Sequence, residues 1–336
     1  MKLLLRILLG GFVLLSTVGL LGVSGGAWWA HQKFNMPGLV DHSVTITVPR
    51  GANIGGVADI LLNKDLIDTP IVFIYGGKIT EQASKIKAGE YEIPAYSSMQ
   101  EILNILESGK VIQRQITIRE GLTNWEVKQL LLAHAGLAKA EEFKMKVEGM
   151  YLPETYSYQK GDSAVDIMNR MNIALDKVLN DAWENRKPDL PLKNKEEALV
   201  LASIIEKETA IGMERRKVAG VFINRLRKGM LLQTDPTVIY AHTLGKHKND
   251  GKGPLGRRLL TKDLKIDSPY NTYKYAGLPP GPIANAGKAS IEAALNPEEH
   301  KYIYFVADGS GGHAFSKTLS EHNRNVAKWR KIRKGK

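Results

Sequence analysis

The sequence predicts an α+β protein in three parts: an N-terminal transmembrane helix, a small strand–helix module and a larger mixed α+β domain. Three observations predict it. Residues Ile7 to Ala30 carry no charged side chain over 24 positions. The β-like alternation "SVTITVP" (43–49) gives way to apolar residues at helical spacing, and the same change recurs about seventy residues later. From about Asn194 a long apolar helix leads into loops rich in Pro, Gly, Asn and Tyr.

The first segment bears on topology. As a helix, residues 7–30 would span about 36 Å at about 1.5 Å per residue, enough for a ~30 Å hydrocarbon core. Lys2 and Arg6 precede the run, which predicts a cytoplasmic N-terminus. Trp28 and Trp29 stand where an interfacial aromatic belt falls, with Lys33 after them. A cleaved signal peptide, with Ser24, Gly25, Gly26 and Ala27 as cleavage region, is the competing reading. Either way the remaining chain lies outside the cytoplasmic membrane, which argues against a nucleic-acid partner.

Residues 1–33 are thus the cytoplasmic end and anchor, and 34–43, with Pro37 and Gly38, a linker. Residues 44–112 form the module. Its first helix carries Val57, Ile60, Leu61 and Leu66 at helical spacing. Its second strand breaks at Pro94. Ser98 with Glu101 has capping-box spacing, and Gly109 is a natural stop. The string "ITIREGLTNWEVKQLLLAHAGL" (116–137) matches the first half of the module, Gly121 against Gly51 and Val127, Leu130 and Leu131 against Val57, Ile60 and Leu61. It reads as a repeated strand–turn–helix unit or as two unrelated elements of one kind.

Residues 115–325 are one mixed domain. Residues 140–190 read as mostly helical with a loop at 148–163. "NKEEALVLASIIEKET" is a helix with Glu196 and Glu197 in its first turn, suiting the helix dipole, and Ala198 to Ile205 is small or apolar throughout. A second helix covers 214–229. "LQTDPTVIY" and "SPYNTYKYAGLPPGPIAN" read as loops, followed by a helix at 287–296, a strand at 301–308 and the Gly-rich turn "GSGGHAFS".

The formal net charge is +12, and Arg324 to Lys336 holds seven basic residues and no acid. The tail, 326–336, therefore reads as a solvated or disordered end, either facing an anionic polymer or surface or without a partner. There is no cysteine, so disulfides, thiolate nucleophiles and thiolate zinc sites are excluded. The eight histidines form no H-E-x-x-H, "DGSGGH" is no nucleophile elbow, and no phosphate loop occurs. No cofactor and no metal is expected.

Glu206 ends the apolar run. Its helical neighbours Ser203, Ala202 and Leu199 are small or apolar. Desolvation and the negative end of the helix dipole both penalise a charged carboxylate there, which suits a general acid. A structural salt bridge, for instance to Arg225, is the equal alternative. Glu208 reads as an ordinary exposed residue near a helix end.

Four strings, "LASIIEKETA" (201–210), "KVAGVFINRLRKGMLLQTDPTVIYA" (217–241), "YNTYKYAGLPPGPIANAG" (270–287) and "YFVADGSGGHAFSKTLSEHN" (304–323), closely resemble the endolytic murein transglycosylase, or YceG-like, family. The resemblance extends to the anchor and to "GEYEI" with its helix, and covers nearly the whole chain. It implies a single-span inner-membrane enzyme facing the periplasm or cell wall, with a LysM-like first module. The catalytic domain would cleave the β-1,4 bond between N-acetylmuramic acid and N-acetylglucosamine without water, leaving 1,6-anhydromuramoyl ends. Substrate would be peptidoglycan glycan strands, and wall synthases are the implied partners. The family's catalytic glutamate falls on Glu206, which would protonate the glycosidic oxygen and then accept the proton of the muramic C6 hydroxyl. Candidate second carboxylates are Asp235, Glu208 and Glu154, Asp235 being either a sugar contact or a turn former before Pro236. Glycan contacts are expected from Gln233, Thr234, Asp235, Tyr240, Tyr270, Asn271, Thr272 and Tyr273, in two loops rich in aromatic and hydrogen-bonding groups. The rival from another class is a non-catalytic, membrane-anchored wall-binding scaffold.

Overall fold

A computed structural model of the chain describes residues 2–138, 143–247 and 254–334. It divides into two units, Met1–Arg114 and Gln115–Lys336.

The first unit opens with helix α1 (Lys2–Asn35), unbroken through 24–27. Gly10–Asn35 is long and apolar enough to cross a membrane. The helix runs two residues past the expected anchor, and its end joins the core: Phe34 is buried. Its ring approaches Gly76 so closely that a Cβ there would lie 2.3 Å from it.

Strand β1 (Val44–Val48), helices α2 (Ile54–Leu62) and α3 (Pro70–Ile79), strand β2 (Gly89–Ile93) and helix α4 (Met99–Ser108) complete the unit. β1 and β2 pair antiparallel, Val44 opposite Ile93 and Val48 opposite Gly89. Ile46, Leu61, Phe73, Tyr91, Ile102 and Leu106 fill the core beneath the two strands. Asn53 caps α2 by accepting from Gly56 N–H at 2.9 Å. The capping box of Ser98 and Glu101 starts α4, and Gly109 ends it at φ +70°. The sequence pattern had not shown α3, whose "PIVFIYGGKI" is apolar on all sides and carries two helix-weakening glycines.

The second unit contains β3 (Arg114–Thr117), which begins at the boundary, α5 (Asn124–Ala133), β4 (Thr155–Tyr158), α6 (Ala164–Glu184) and α7 (Lys195–Glu208). Next come α8 (Arg215–Arg227), α9 (Asp235–Thr243), α10 (Lys288–Leu295), β5 (Tyr304–Ala307), β6 (His313–Ser316) and α11 (Leu319–Lys334). Helix α7 is the axis, packed against α6, α8, α9 and α10, and every residue from Ala198 to Ile205 is buried.

Several expectations change here. "TDPTVIY" lies not in a loop but at the start of α9, with Pro236 in the first turn, where its missing N–H costs nothing. β4 lies inside the stretch 148–163 read as loop. The strand expected at 301–308 is shorter, and the second half of "GSGGHAFS" is β6, paired antiparallel with β5. The basic tail continues α11 as far as Lys334, and α11 packs on the β5–β6 hairpin. The last two residues lie outside the described ones.

Candidate active site

Asn194 starts α7 by accepting from Glu197 N–H at 2.8 Å. At about 100° per residue, Glu206 and Glu208 then project roughly 200° apart from the last turn. They reach two different surroundings.

Glu206 is enclosed, its side chain 5% exposed. One oxygen accepts from the Gly287 N–H at 3.0 Å. The other lies 3.4 Å from Arg215 Nη2, and the same nitrogen bonds Glu120 at 2.9 Å. Lys207 Nζ donates to the Gly121 carbonyl at 3.1 Å. Gly287 leaves room for Glu120: a Cβ there would sit 1.9 Å from a Glu120 oxygen and displace that side chain. Glu120 is pushed up by burial and by the nearby Glu206 charge, against the pull of Arg215. The salt-bridge alternative is thus realised with Arg215. Arg225 is engaged elsewhere, donating to the carbonyls of Ile303, Leu231 and Leu232 at 2.7, 3.3 and 2.7 Å, with its guanidinium over the Tyr304 ring.

Glu208 is not the exposed residue that its position suggested. It lines a cavity of about 580 Å³ together with Gln233, Asp235, Tyr273, Arg225 and His322. Thr234 Oγ1 donates to its carboxylate. Burial pushes the Glu208 carboxyl up, and the Asp235 charge adds to this, while Thr234, His313 and Arg225 pull the other way. Tyr273 Oη donates to Asp235 at 2.6 Å.

The eight expected sugar contacts separate into three groups. Gln233, Asp235 and Tyr273 line the Glu208 cavity. Thr234, Asn271 and Thr272 are buried and hold the loops: Asn271 donates to the carbonyls of Leu264 and Ile266, and Thr272 Oγ1 accepts from Thr234 N–H and pairs with Thr237. Tyr240 and Tyr270 pack on each other, ring centroids 4.8 Å apart, beside Glu148. Burial pushes the Glu148 carboxyl up to about 7. Glu154 is exposed before β4 and is not among the cavity residues. Among the described residues no group of three His, Asp or Glu side chains could hold a metal ion.

From the sequence, Glu208 is only a candidate second carboxylate, otherwise exposed, and Glu120 and Arg215 are missed. Their neighbours come from 120–121, 231–235, 287 and 304–323, so the enclosure is tertiary. The one local signal was the two-residue spacing, which places the glutamates on opposite faces at the end of a helix that is small or apolar from Ala198 to Ile205.

The YceG-like family model matches residues 46–328. The chain belongs to the YceG-like family. It is 36% identical over 342 residues to a Bacillus subtilis protein named endolytic murein transglycosylase, covering 91% of each chain. A Streptococcus pneumoniae protein of the same name is 29% identical over 331 residues, with 84% of this chain and 58% of that one covered. The crystal structure of a YceG-like protein from Listeria monocytogenes superposes with a TM-score of 0.52 at 34% identity, covering 84% of this chain and 98% of that one. In this YceG-like chain the four family strings converge on α7. The first is its end, the second supplies α8 and α9, the third brings Gly287 to Glu206, and the fourth forms the hairpin wall of the Glu208 cavity.

Proposed function

We propose that the chain is, like its named relatives, an endolytic murein transglycosylase, with Glu208 rather than Glu206 as proton donor. The observation that carries this is the Glu208 carboxyl, pushed up by burial and facing a cavity of about 580 Å³ lined by a tyrosine, a glutamine and a second carboxylate. A carboxyl that holds its proton to higher pH than an ordinary glutamate suits a general acid. Glu206 is committed as an acceptor to Gly287 and Arg215.

The substrate bond is the β-1,4 link from N-acetylmuramic acid to N-acetylglucosamine. Glu208 gives its proton to the glycosidic oxygen as that bond breaks. The carboxylate left behind takes the proton of the muramic C6 hydroxyl, whose oxygen closes on the anomeric carbon. One group serves in both steps, and a second, water-activating or nucleophilic carboxylate is not needed. Tyr273 and Asp235, hydrogen-bonded to each other, and Gln233 are the proposed sugar contacts. The products are a 1,6-anhydromuramoyl end and a free N-acetylglucosamine hydroxyl.

Residues 7–30 anchor this domain, 115–325, on the periplasmic side, where it shortens nascent strands behind the wall synthases. The strand–helix–helix–strand order from β1 to β2 suits a LysM-like glycan binder at 44–112.

The test is mass spectrometry of strand ends after digestion of uncross-linked nascent glycan. Glu208→Gln is expected to lower anhydromuramoyl formation by about 10²-fold or more, the usual weight of a general acid, with glycan binding kept. Glu206→Gln is expected to keep measurable cleavage. A dead Glu206→Gln beside an active Glu208→Gln transfers the proton donor to Glu206. Reducing muramic ends from the wild type make the protein a hydrolase, with Asp235 as the base to test. Binding without any cleavage leaves the scaffold.

A further inference from the structure

Residues 114–131 repeat residues 44–61, and residues 152–171 repeat residues 87–106. Through the first half the offset is 70. Ile46, Val48, Val57 and Leu61 of the first core answer to Ile116, Ile118, Val127 and Leu131 of a separate core in the second unit. Gly51 and Gly121 follow their strands with φ +80° and +76°. Two residues later Asn53 and Thr123 each cap their helix through a side-chain oxygen.

Through the second half the offset is 65. Tyr91 Oη donates to the carbonyl of Lys87, four residues back, at 2.7 Å, and Tyr156 Oη donates to that of Leu152 at 2.8 Å. Tyr96 and Gly161 both take positive φ, +58° and +90°. Ser98 with Glu101 and Ser163 with Asp166 each form a complete capping box. Ile102, Leu103 and Leu106 then answer to Ile167, Met168 and Met171. Unrelated strand–helix pairs share a period. They do not share a tyrosine bond to the fourth residue back, a left-handed residue and a capping box at one constant offset. The drop in offset falls where the first copy has α3, and there the second carries the segment that contains Glu148.

The two copies differ in what the loop from strand to helix does. In the second, Gly121 offers its carbonyl to Lys207, and Glu120 holds the Arg215 nitrogen that also reaches Glu206. Asn285, fully buried, docks the same loop. Its carbonyl accepts from Gly121 N–H at 2.9 Å, its N–H donates to Leu122 O at 2.9 Å, and its side chain bonds Leu122 O, Asn124 and Tyr151 N–H. Two residues on, Gly287 bonds Glu206. The first copy has Arg50 where the second has Glu120.

We propose that residues 114–171 are a second copy of the module, built into the catalytic unit, and that its strand-to-helix loop is the platform positioning the end of α7, with Glu120 as the positioning residue. Anchored through Glu206 and Lys207 on one face, the helix end holds Glu208 toward its cavity. Only this catalytic consequence rests on the transglycosylase reading.

The test is Glu120→Arg, which restores the first copy's residue and sets a cation against Arg215, with Glu120→Gln as the milder variant in case the first fails to fold. Glu120→Arg is expected to speed amide hydrogen exchange at 206–209 about tenfold while remote core amides keep their protection. It is also expected to lower kcat at unchanged KM, with Glu120→Gln smaller in both. Wild-type exchange at 206–209 in both variants overturns the platform whether or not the protein is active. Faster exchange with no anhydromuramoyl product even from the wild type keeps the platform and sinks the enzyme reading alone. The repeat itself is tested by Tyr91→Phe and Tyr156→Phe, expected to lower the Tm of their own units. No loss from Tyr156→Phe overturns the equivalence.

Discussion

Glu148→Gln is expected to stabilise the second unit at pH 8 and to leave it unchanged at pH 4.5. Glu148 lies in the segment that stands where the first module has α3. Its Oε1 accepts from the N–H groups of Asn124 at 2.7 Å and Gly149 at 3.3 Å. Burial nevertheless dominates and pushes the carboxyl from an ordinary 4.5 to about 7. Below pH 4.5 both the folded and the unfolded chain hold this proton. Between 4.5 and 7 the folded chain holds more protons than the unfolded one, so stability falls as pH rises. Above 7 both have lost it and the loss is complete. A rise of about 2.5, at about 1.4 kcal/mol each, sets a ceiling of about 3–4 kcal/mol. Glutamine keeps the acceptor oxygen for both N–H groups and cannot ionise, so it removes the pH-dependent penalty. For a unit of this size about 2–4 °C per kcal/mol is usual, so the Tm gain at pH 8 is up to about 14 °C. Thermal unfolding followed by fluorescence of Trp125 and Trp183 at pH 4.5, 6 and 8 reads it. A difference between variant and wild type that is the same at all three pH values, or larger at pH 4.5, refutes the reasoning.

Two further outcomes are expected. Asn285→Ala strips Tyr151 N–H of its acceptor and Asn124 of a donor inside the protein. A buried orphan donor costs about 1–3 kcal/mol, so urea unfolding of the second unit should show a loss of that order; an unchanged midpoint removes Asn285 as the dock. Thr234→Val keeps the shape of Thr234 and deletes the hydroxyl that bonds Glu208. That bond lowers the Glu208 pKa, so its loss raises it. A general acid works only while protonated, so the basic limb of the kcat/KM profile should move to higher pH. A shift to lower pH excludes Glu208 as the acid.

Local features were legible in the sequence. The capping box at Ser98 and Glu101, the stop at Gly109 and the buried run of α7 each depend on residues within one or two turns. α9 was lost because a Pro after an Asp is as good a turn former as a helix starter, and only the packing of Val238 and Tyr240 decides. β6 was lost because its strand is four residues long and follows a cluster of glycines. The repeat could be seen in its first half, where the apolar residues match. Its second half pairs Ile93 with Tyr158 and Tyr96 with Gly161, substitutions that preserve burial and backbone conformation while erasing identity.

The candidate site follows the same division. A glutamate at the end of an apolar helix attracts a chemical reading because its own neighbours are apolar, and Glu206 meets that condition. Apolar neighbours on the same helix do not decide whether a carboxylate faces a substrate cavity, because those neighbours are spent on the core. What decides is the group opposite. Opposite Glu206 stand an arginine and a backbone N–H, which occupy a carboxylate as an acceptor. Opposite Glu208 stands open volume, with one hydroxyl and a second carboxylate. Two residues of spacing on one helix end therefore suffice to give one carboxylate fixed hydrogen-bond partners and the other an open cavity. On the proposed reading the anchor lies in the same turn as the acid because a helix end left free would carry Glu208 away from its cavity.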